Sequence, residues 1–263
     1  MRSRGGHLFP ANYAIDVVVA RLDVEADAVD ASAALLSDAE LQRAGRFAFE
    51  RDRNRFIVAR ARLRELLAER LGVVPESIEL EYGTHGKPAL ARGRPGSRLR
   101  FNVSHSEDVA VYAFFRGHEI GIDVETVRVI PYADDIAARY FSRVENEAYL
   151  ALDPRDRPLG FFNCWTRKEA FVKAVGDGLS YPLDCFDVSL TPGVPARILR
   201  VEDKPGNACG WYLDAFCPVP GYVAAIVTED AGHRAGFPIP ARRCVRAATL
   251  PQWSLSGALM VEP

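Results

Sequence analysis

Asp123 and Glu125 stand two residues apart in "EIGIDVET" (Glu119–Thr126), a run otherwise built of Ile, Gly and Val. On a strand, side chains at i and i+2 share a face. The two carboxylates therefore point one way, and Ile122 and Val124 the other. Neighbouring ionised carboxylates repel when dry, and a hard divalent cation between them turns repulsion into binding. Mg2+ suits a site of few carboxylates completed by water and substrate phosphates. The competing reading is a solvated strand end, since strand ends often turn polar.

Three further groups bear on that choice. In "NCWTRKEAFVKAVGDGL", Lys168, Glu169 and Lys173 crowd one stretch, and Glu169 and Lys173 share a helix face at i,i+4. Such a pair is ordinarily a surface contact worth a few tenths of a kcal/mol. Here the face combines an anion able to complete a metal site with cations able to hold phosphates. "FNVSHS" (Phe101–Ser106) gathers Asn102, Ser104 and His105, whose hydroxyl and imidazole can donate to phosphate oxygens. "GKP" (Gly86–Pro88) sets Lys87 in a tight loop, suited to a phosphate or simply to water. The arginines of "RAGRFAFERDRNRF" read mostly as a solvated helix face, with Glu40, Glu50 and Asp52 pairing some of them.

The elements that must position these residues follow from periodicity. "YAIDVVVARL" (Tyr13–Leu22) reads as a first strand. From Ser37 to Leu71 the pattern predicts one long helix, with Ser37 and Glu40 as a capping box, Gly72 as the stop, and Phe56, Leu63, Leu66, Leu67 and Leu71 as the apolar stripe. "IELEY", "RLRFNVSHS" and "VAVYAFF" read as strands, and a hairpin turn at Arg116–Glu119 leads into "IGIDVE". After Pro131 three helices are predicted, "YADDIAARYFS", "RVENEAYLAL" and "GFFNCWTRKEAFVKAVGDGL", the last ended by Gly176 and Gly178. Strands follow near Phe186–Leu190, Ala196–Val201, Gly210–Phe216 and Tyr222–Thr228. Helices and hairpin-linked strands in separate blocks favour α+β over a parallel α/β sheet. The division expected is an N-terminal half over residues 1–126, a C-terminal half over 127–230, and an extension over 231–263 of unassigned role.

The whole chain sets outer bounds. Its 263 residues are 48% hydrophobic and 26% charged, the balance of a soluble globular protein with ample length for a core. With 33 basic and 35 acidic residues, bulk charge points to neither nucleic acid nor membrane as a partner. Five cysteines without CxxC spacing indicate thiols in a reducing compartment. No apolar run reaches the roughly 18–20 residues of a membrane span, so a cytoplasmic location is expected.

Taken in order, "GKP", "FNVSHS", "GIDVE" and "WTRKEAFVKAVGDGL", with "RFAFERDRNRF" before them, resemble the signature of the Sfp-type 4'-phosphopantetheinyl transferases over about residues 10–230. The resemblance implies two similar α+β halves related by a pseudo-twofold, with the active site in the cleft between them. It implies coenzyme A as substrate with Mg2+, or Mn2+ in its place. The reaction implied moves the 4'-phosphopantetheine arm onto a serine of an apo acyl or peptidyl carrier protein and releases 3',5'-ADP. Asp123, Glu125 and Glu169 become the metal ligands, and Glu169 also the base for the carrier serine. Lys173 and Lys168 steady the pyrophosphate and protonate the leaving group. Ser104, His105 and Lys87 fall on the nucleotide side, with His105 and Arg43 at the 3'-phosphate. The family's second basic position is Glu40 here and a helix hydroxyl is replaced near Phe56, which leaves Arg46 or Arg55 to take up that contact. Length and layout point to the monomeric branch. Two rival readings are a Mg2+-dependent phosphohydrolase and a binding module without catalysis. The hydrolase would use the same carboxylates on water and is separated by product analysis, since it needs no carrier protein; the binding module is disfavoured because all three carboxylates and both helix lysines are in place.

Overall fold

Two sheets carry the fold, and strand alternation decides what each face meets. The computed structural model describes residues 15–84, 86–91, 98–176, 181–202 and 210–229, with the backbone of 243–245. Along the chain run β1 (Asp16–Arg21), α1 (Ala26–Ala33), α2 (Asp38–Ala44), α3 (Glu50–Leu71), β2 (Leu80–Tyr82), β3 (Pro88–Leu90), β4 (Leu99–Ser106), β5 (Val109–Arg116) and β6 (Ile120–Thr126). Then come α4 (Ala133–Tyr140), α5 (Arg143–Leu150), α6 (Arg157–Val175), β7 (Phe186–Val188), β8 (Ile198–Val201), β9 (Trp211–Phe216), β10 (Tyr222–Glu229) and β11 (Arg243–Val245).

The first sheet has the order β11-β1-β5-β4 and the second β6-β10-β9. In β1 and β5, Val18, Ala20, Tyr112 and Phe114 pack with the Leu63, Leu66 and Leu67 stripe of α3. Their neighbours Val17, Val19, Val111 and Ala113 turn to the other face and meet Ile120, Ile122 and Val124 of β6 and Ile226 of β10. The opposite face of the second sheet packs with Ala170, Phe171 and Ala174 of α6 through Ala225 and Val227 of β10. The result is helix, sheet, sheet, helix: an α+β architecture in which each half sets one long helix on antiparallel strands. Each buried large aliphatic or aromatic side chain contributes about 1.5–3 kcal/mol, so the inter-sheet layer fixes β6 firmly under the site.

The structure departs from the sequence expectations in four places. The long helix is two, because Gly45, costly inside a helix, ends α2, and Phe49 starts α3 in an extended conformation without a side-chain cap. The predicted ends hold: Ser37 and Glu40 form the capping box, and Gly72 caps α3 in the left-handed region at φ 70°. Helix α1 escaped notice because only Val29 of its eight residues is buried, which leaves no stripe to read. The turn after β5 does not close a hairpin: β6 pairs antiparallel with β10 and joins the second sheet. Part of the unassigned C-terminal extension returns as β11, parallel to β1. Gly178 lies outside the described residues. Among those residues no helix is long and apolar enough to cross a membrane.

Gly121 sets how closely α6 approaches β6. A Cβ there would stand 2.0 Å from the Ala170 carbonyl oxygen and 2.4 Å from the Ala174 nitrogen. Both atoms are helix backbone and cannot swing aside. Any larger residue forces α6 off the strand, and Glu169 and Lys173 with it.

Candidate active site

β4 and β6 are edge strands of different sheets and lie side by side without a backbone ladder. Side chains of β4 make the connection. Asn102 Oδ1 accepts from the Ile122 amide at 2.8 Å, and Ser106 Oγ accepts from the Thr126 amide at 3.2 Å. Buried edge amides need such partners. The constant offset of 20 residues makes the two strands run in the same direction. Between these ties, Ser104 Oγ donates to Asp123 Oδ1 at 2.8 Å and Ser106 Oγ to Glu125 Oε2 at 2.8 Å. Asn102, Ser104 and Ser106 occupy i, i+2 and i+4, one face of the strand.

From the α6 side, Lys173 Nζ donates to Asp123 Oδ1 at 2.6 Å and to Ser104 Oγ at 3.1 Å. Asp123 is buried at 4% exposure, and its second oxygen, Oδ2, is buried without any donor. Burial pushes the Glu169 carboxyl above the ordinary range; Lys173 opposes this, and the charges of Asp123 and Glu125 add to it. Burial likewise raises Glu125, opposed by the Ser106 hydrogen bond and reinforced by Asp123. Three carboxylates thus share one electrostatic neighbourhood with one ammonium. Among the described residues no three acidic, His or Cys side chains converge closely enough to hold a metal unaided. Mutual repulsion keeps carboxylates apart when no cation joins them. An all-oxygen donor set with an orphan carboxylate oxygen fits a hard cation that takes its remaining ligands from water and phosphate.

A groove of about 800 Å³ is lined by Arg43, Arg46, Phe47, Tyr82 and others, on the α2 and β2 side of the first half. The Arg43 guanidinium sits 5.4 Å from the Phe56 ring centroid, and Arg60 lies over both Phe56 (5.6 Å) and Tyr82 (5.7 Å). Arg60 Nη1 is buried without an acceptor. The His105 imidazole is held below its ordinary pKa by burial and then by the Lys173 charge, with Arg60 and Arg55 adding to the effect.

The amino-acid sequence matches two family models in tandem. Residues 25–115 match "4'-phosphopantetheinyl transferase, N-terminal", and residues 119–227 match the "4'-phosphopantetheinyl transferase superfamily". The chain is 37% identical over 205 residues to 4'-phosphopantetheinyl transferase HetI of Nostoc sp., covering 78% of this chain and 83% of that one. This chain belongs to the 4'-phosphopantetheinyl transferase superfamily. It is also 29% identical over 191 residues to 4'-phosphopantetheinyl transferase Sfp of Bacillus subtilis, covering 73% of this chain and 81% of that one. A human relative, L-aminoadipate-semialdehyde dehydrogenase-phosphopantetheinyl transferase, is 33% identical over 161 residues, 58% of this chain and 52% of its own.

In this transferase Asp123, Glu125, Glu169, Lys173 and Ser104 are brought together, as the family resemblance implied, while His105, one residue on from Ser104, turns to the other face of β4 and is exposed, within electrostatic reach of Lys173 and Asp123. Lys168 is not. It is fully buried on the far side of α6, where its ammonium donates to the Leu183 and Phe186 carbonyls at 2.5 and 2.7 Å and pairs with Glu145 at 2.7 Å. One position separates Lys168 from Glu169, and a helix turns about 100° per residue, so the two cannot share a face. Glu145 in turn caps α5 through Ser142 and accepts from the Val188 amide. Removing one partner of such a buried pair costs about 3–5 kcal/mol. Lys168→Ala is therefore expected to lower the melting temperature markedly yet keep kcat when both proteins are assayed well below their midpoints.

Other basic residues are reassigned. Arg55 is occupied by Asp23, at 2.6 Å, and by Glu107, at 3.2 Å, and is not available to a phosphate. Glu40, at the family's second basic position, is buried and holds Arg64 at 2.8 Å while closing the capping box. Lys87 donates to acceptors of this chain, including Glu119 Oε2 at 3.1 Å. Asn102, Ser106 and Arg60 gained no individual role from spacing. The i, i+2, i+4 polar run of β4 was the available signal for the first two.

Proposed function

We propose that this chain moves the 4'-phosphopantetheine arm of coenzyme A onto a serine hydroxyl of an apo acyl or peptidyl carrier protein, with Mg2+ as the required cation. The observation that carries the reading is the meeting of Asp123, Glu125, Glu169 and Lys173 at the β6–α6 contact, with Asp123 Oδ2 buried and lacking a donor. Asp123, Glu125 and Glu169 would hold the cation, whose chemistry is to neutralise charge on the pyrophosphate oxygens. Glu169 takes the serine proton, as the carboxylate placed at the edge of the cation site. The serine oxygen bonds to the phosphorus nearer pantetheine. The bond from that phosphorus to the bridging oxygen breaks, and 3',5'-ADP leaves with the electron pair. Lys173, already at the edge of the carboxylates, follows the charge onto the departing phosphate and donates a proton to it. Positioning and charge neutralisation supply most of the rate.

His105 and Arg43 bind the 3'-phosphate in this reading, and Arg60 fills the place left by Glu40. The His105 pKa is lowered, and the negative charge of an arriving phosphate favours its protonated form. The length and two-half layout support a monomer, and thiols at Cys164 and Cys217 accord with a reducing cytoplasm. Mass spectrometry of apo-carrier incubated with coenzyme A, with and without Mg2+, tests the activity. Metal-dependent addition of phosphopantetheine supports it, and hydrolysis of coenzyme A with the carrier unchanged would favour a phosphohydrolase.

Arg60→Ala and His105→Ala are expected to raise KM for coenzyme A more than they lower kcat, because they hold a part of the substrate remote from the reacting phosphorus. With 3'-dephospho-coenzyme A both penalties should shrink. Equal penalties on the two substrates would move these residues away from the 3'-phosphate.

A further inference from the structure

Resting on the transfer reading above, we infer that Lys87 is a positioning residue: it straps the last turn of α6 to the start of β6 and thereby sets the Lys173 ammonium against Asp123. The "GKP" loop is built to present this side chain inward. Gly83 and Gly86 close a tight turn, with the Gly86 amide donating to the Gly83 carbonyl at 2.9 Å and the Gly83 amide to the Lys87 carbonyl at 3.0 Å. Gly86 has φ 77°, a left-handed conformation costly for any other residue. Pro88 then begins β3, paired with Tyr82 of β2.

The Lys87 ammonium meets three acceptors, which matches its three hydrogens. They are Glu119 Oε2 at 3.1 Å, the Ile120 carbonyl at 3.2 Å and the Lys173 carbonyl at 2.7 Å. The last is decisive. α6 ends at Val175, so the Lys173 carbonyl has no amide four residues ahead within the helix. Carbonyls at a helix C-terminus carry partial negative charge and favour a cation. Lys87 supplies that cation from the other half of the chain. It fixes the main chain of the residue whose Nζ lies 2.6 Å from Asp123 Oδ1. Glu119 is itself held by Arg100 at 2.8 Å, and its carbonyl accepts from Thr228 Oγ1 at 2.8 Å, so the strap is anchored at both ends. Burial depresses the Lys87 pKa and Glu119 opposes that shift. With all three hydrogens engaged inside the protein, the side chain is committed to the fold rather than to the nucleotide.

Lys87→Met keeps the stem and removes the donors. Assayed with apo-carrier, coenzyme A and Mg2+, it is expected to lose kcat by up to about 10²-fold, the scale of a misplaced reacting group, with KM for coenzyme A unchanged. Combined with Lys173→Ala it should add almost no further loss, because it acts through Lys173. Lys87→Arg, which retains a cation for Glu119 and the helix end, should recover part of kcat and carries the same comparison if the Met variant melts below assay temperature. Amide hydrogen exchange in Lys87→Met should quicken in the last turn of α6. A raised KM with normal kcat would return Lys87 to the nucleotide, and additive losses in the double variant would separate it from Lys173. If the wild-type protein transfers nothing to the carrier, the functional reading falls, while exchange still decides the strap: unchanged protection at the end of α6 would overturn it.

Discussion

Asp123→Asn is expected to lower the transfer rate by on the order of 10³-fold, about 4 kcal/mol of transition-state stabilisation, in a protein that still folds. Asparagine keeps the shape and one carbonyl oxygen for Ser104. It removes the charge that faces Lys173 and converts Oδ2, the buried oxygen without a donor, into an amide nitrogen unable to bind a cation. The sequence alone suggests that deleting one of two neighbouring carboxylates relieves repulsion. The structure adds an opposing effect, because Asp123 is also the carboxylate partner of Lys173 at 2.6 Å. That ammonium is partly exposed, so water replaces much of what is lost, and a melting point within a few degrees of wild type is expected. Steady-state assays beside a thermal melt distinguish loss of chemistry from loss of fold. Full turnover by the variant at ordinary Mg2+ would remove Asp123 from the site.

Glu169→Gln is expected to be at least as damaging, on the order of 10³-fold in kcat, and to leave the metal-free protein more stable near neutral pH. Burial, reinforced by Asp123 and Glu125, raises the Glu169 pKa in the folded state. A carboxyl with a raised folded pKa stabilises the fold when protonated, below its unfolded pKa. That contribution is lost as pH rises through the folded value. At neutral pH the ionised group therefore opposes folding, and a neutral glutamine removes the opposition. Melts of the metal-free proteins should converge in acid and separate toward neutrality, with the variant higher. A lower neutral melting point would mean that the Lys173 attraction outweighs burial. Near-normal kcat would leave the mechanism without its base.

Much of this was legible in the chain. The continuous apolar runs of "DVVVAR" and "VAVYAFF" mark strands buried on both faces, and the carboxylates of "GIDVE" rest on a period of two, which a strand imposes locally. The capping boxes at Ser37/Glu40 and, on inspection, Ser142/Glu145 are equally local. What failed was decided by distant contacts. Spacing could not tell that Lys168 turns into the core to meet Glu145, since a lysine beside a functional glutamate looks the same whichever way its helix is rotated. Nor could it tell that β6 crosses to the second sheet, because pairing with β10 joins residues about a hundred positions apart. Nothing in the sequence gives a reason for Gly121 in an apolar strand, and only the backbone of α6 beside it explains the glycine. Arg60 was one arginine in a basic helix until two rings closed over it.

The central claim is that Asp123, Glu125 and Glu169 form a cation site which coenzyme A completes. Binding of Mg2+ and of coenzyme A must then be coupled, each tightening the other by the same factor. Calorimetric titration of coenzyme A into the protein with and without Mg2+, repeated with Asp123→Asn, measures that factor directly. The expected result is tighter binding with Mg2+ in the wild-type protein and no enhancement in the variant. Equal enhancement in both, or none in either, would contradict the site described here.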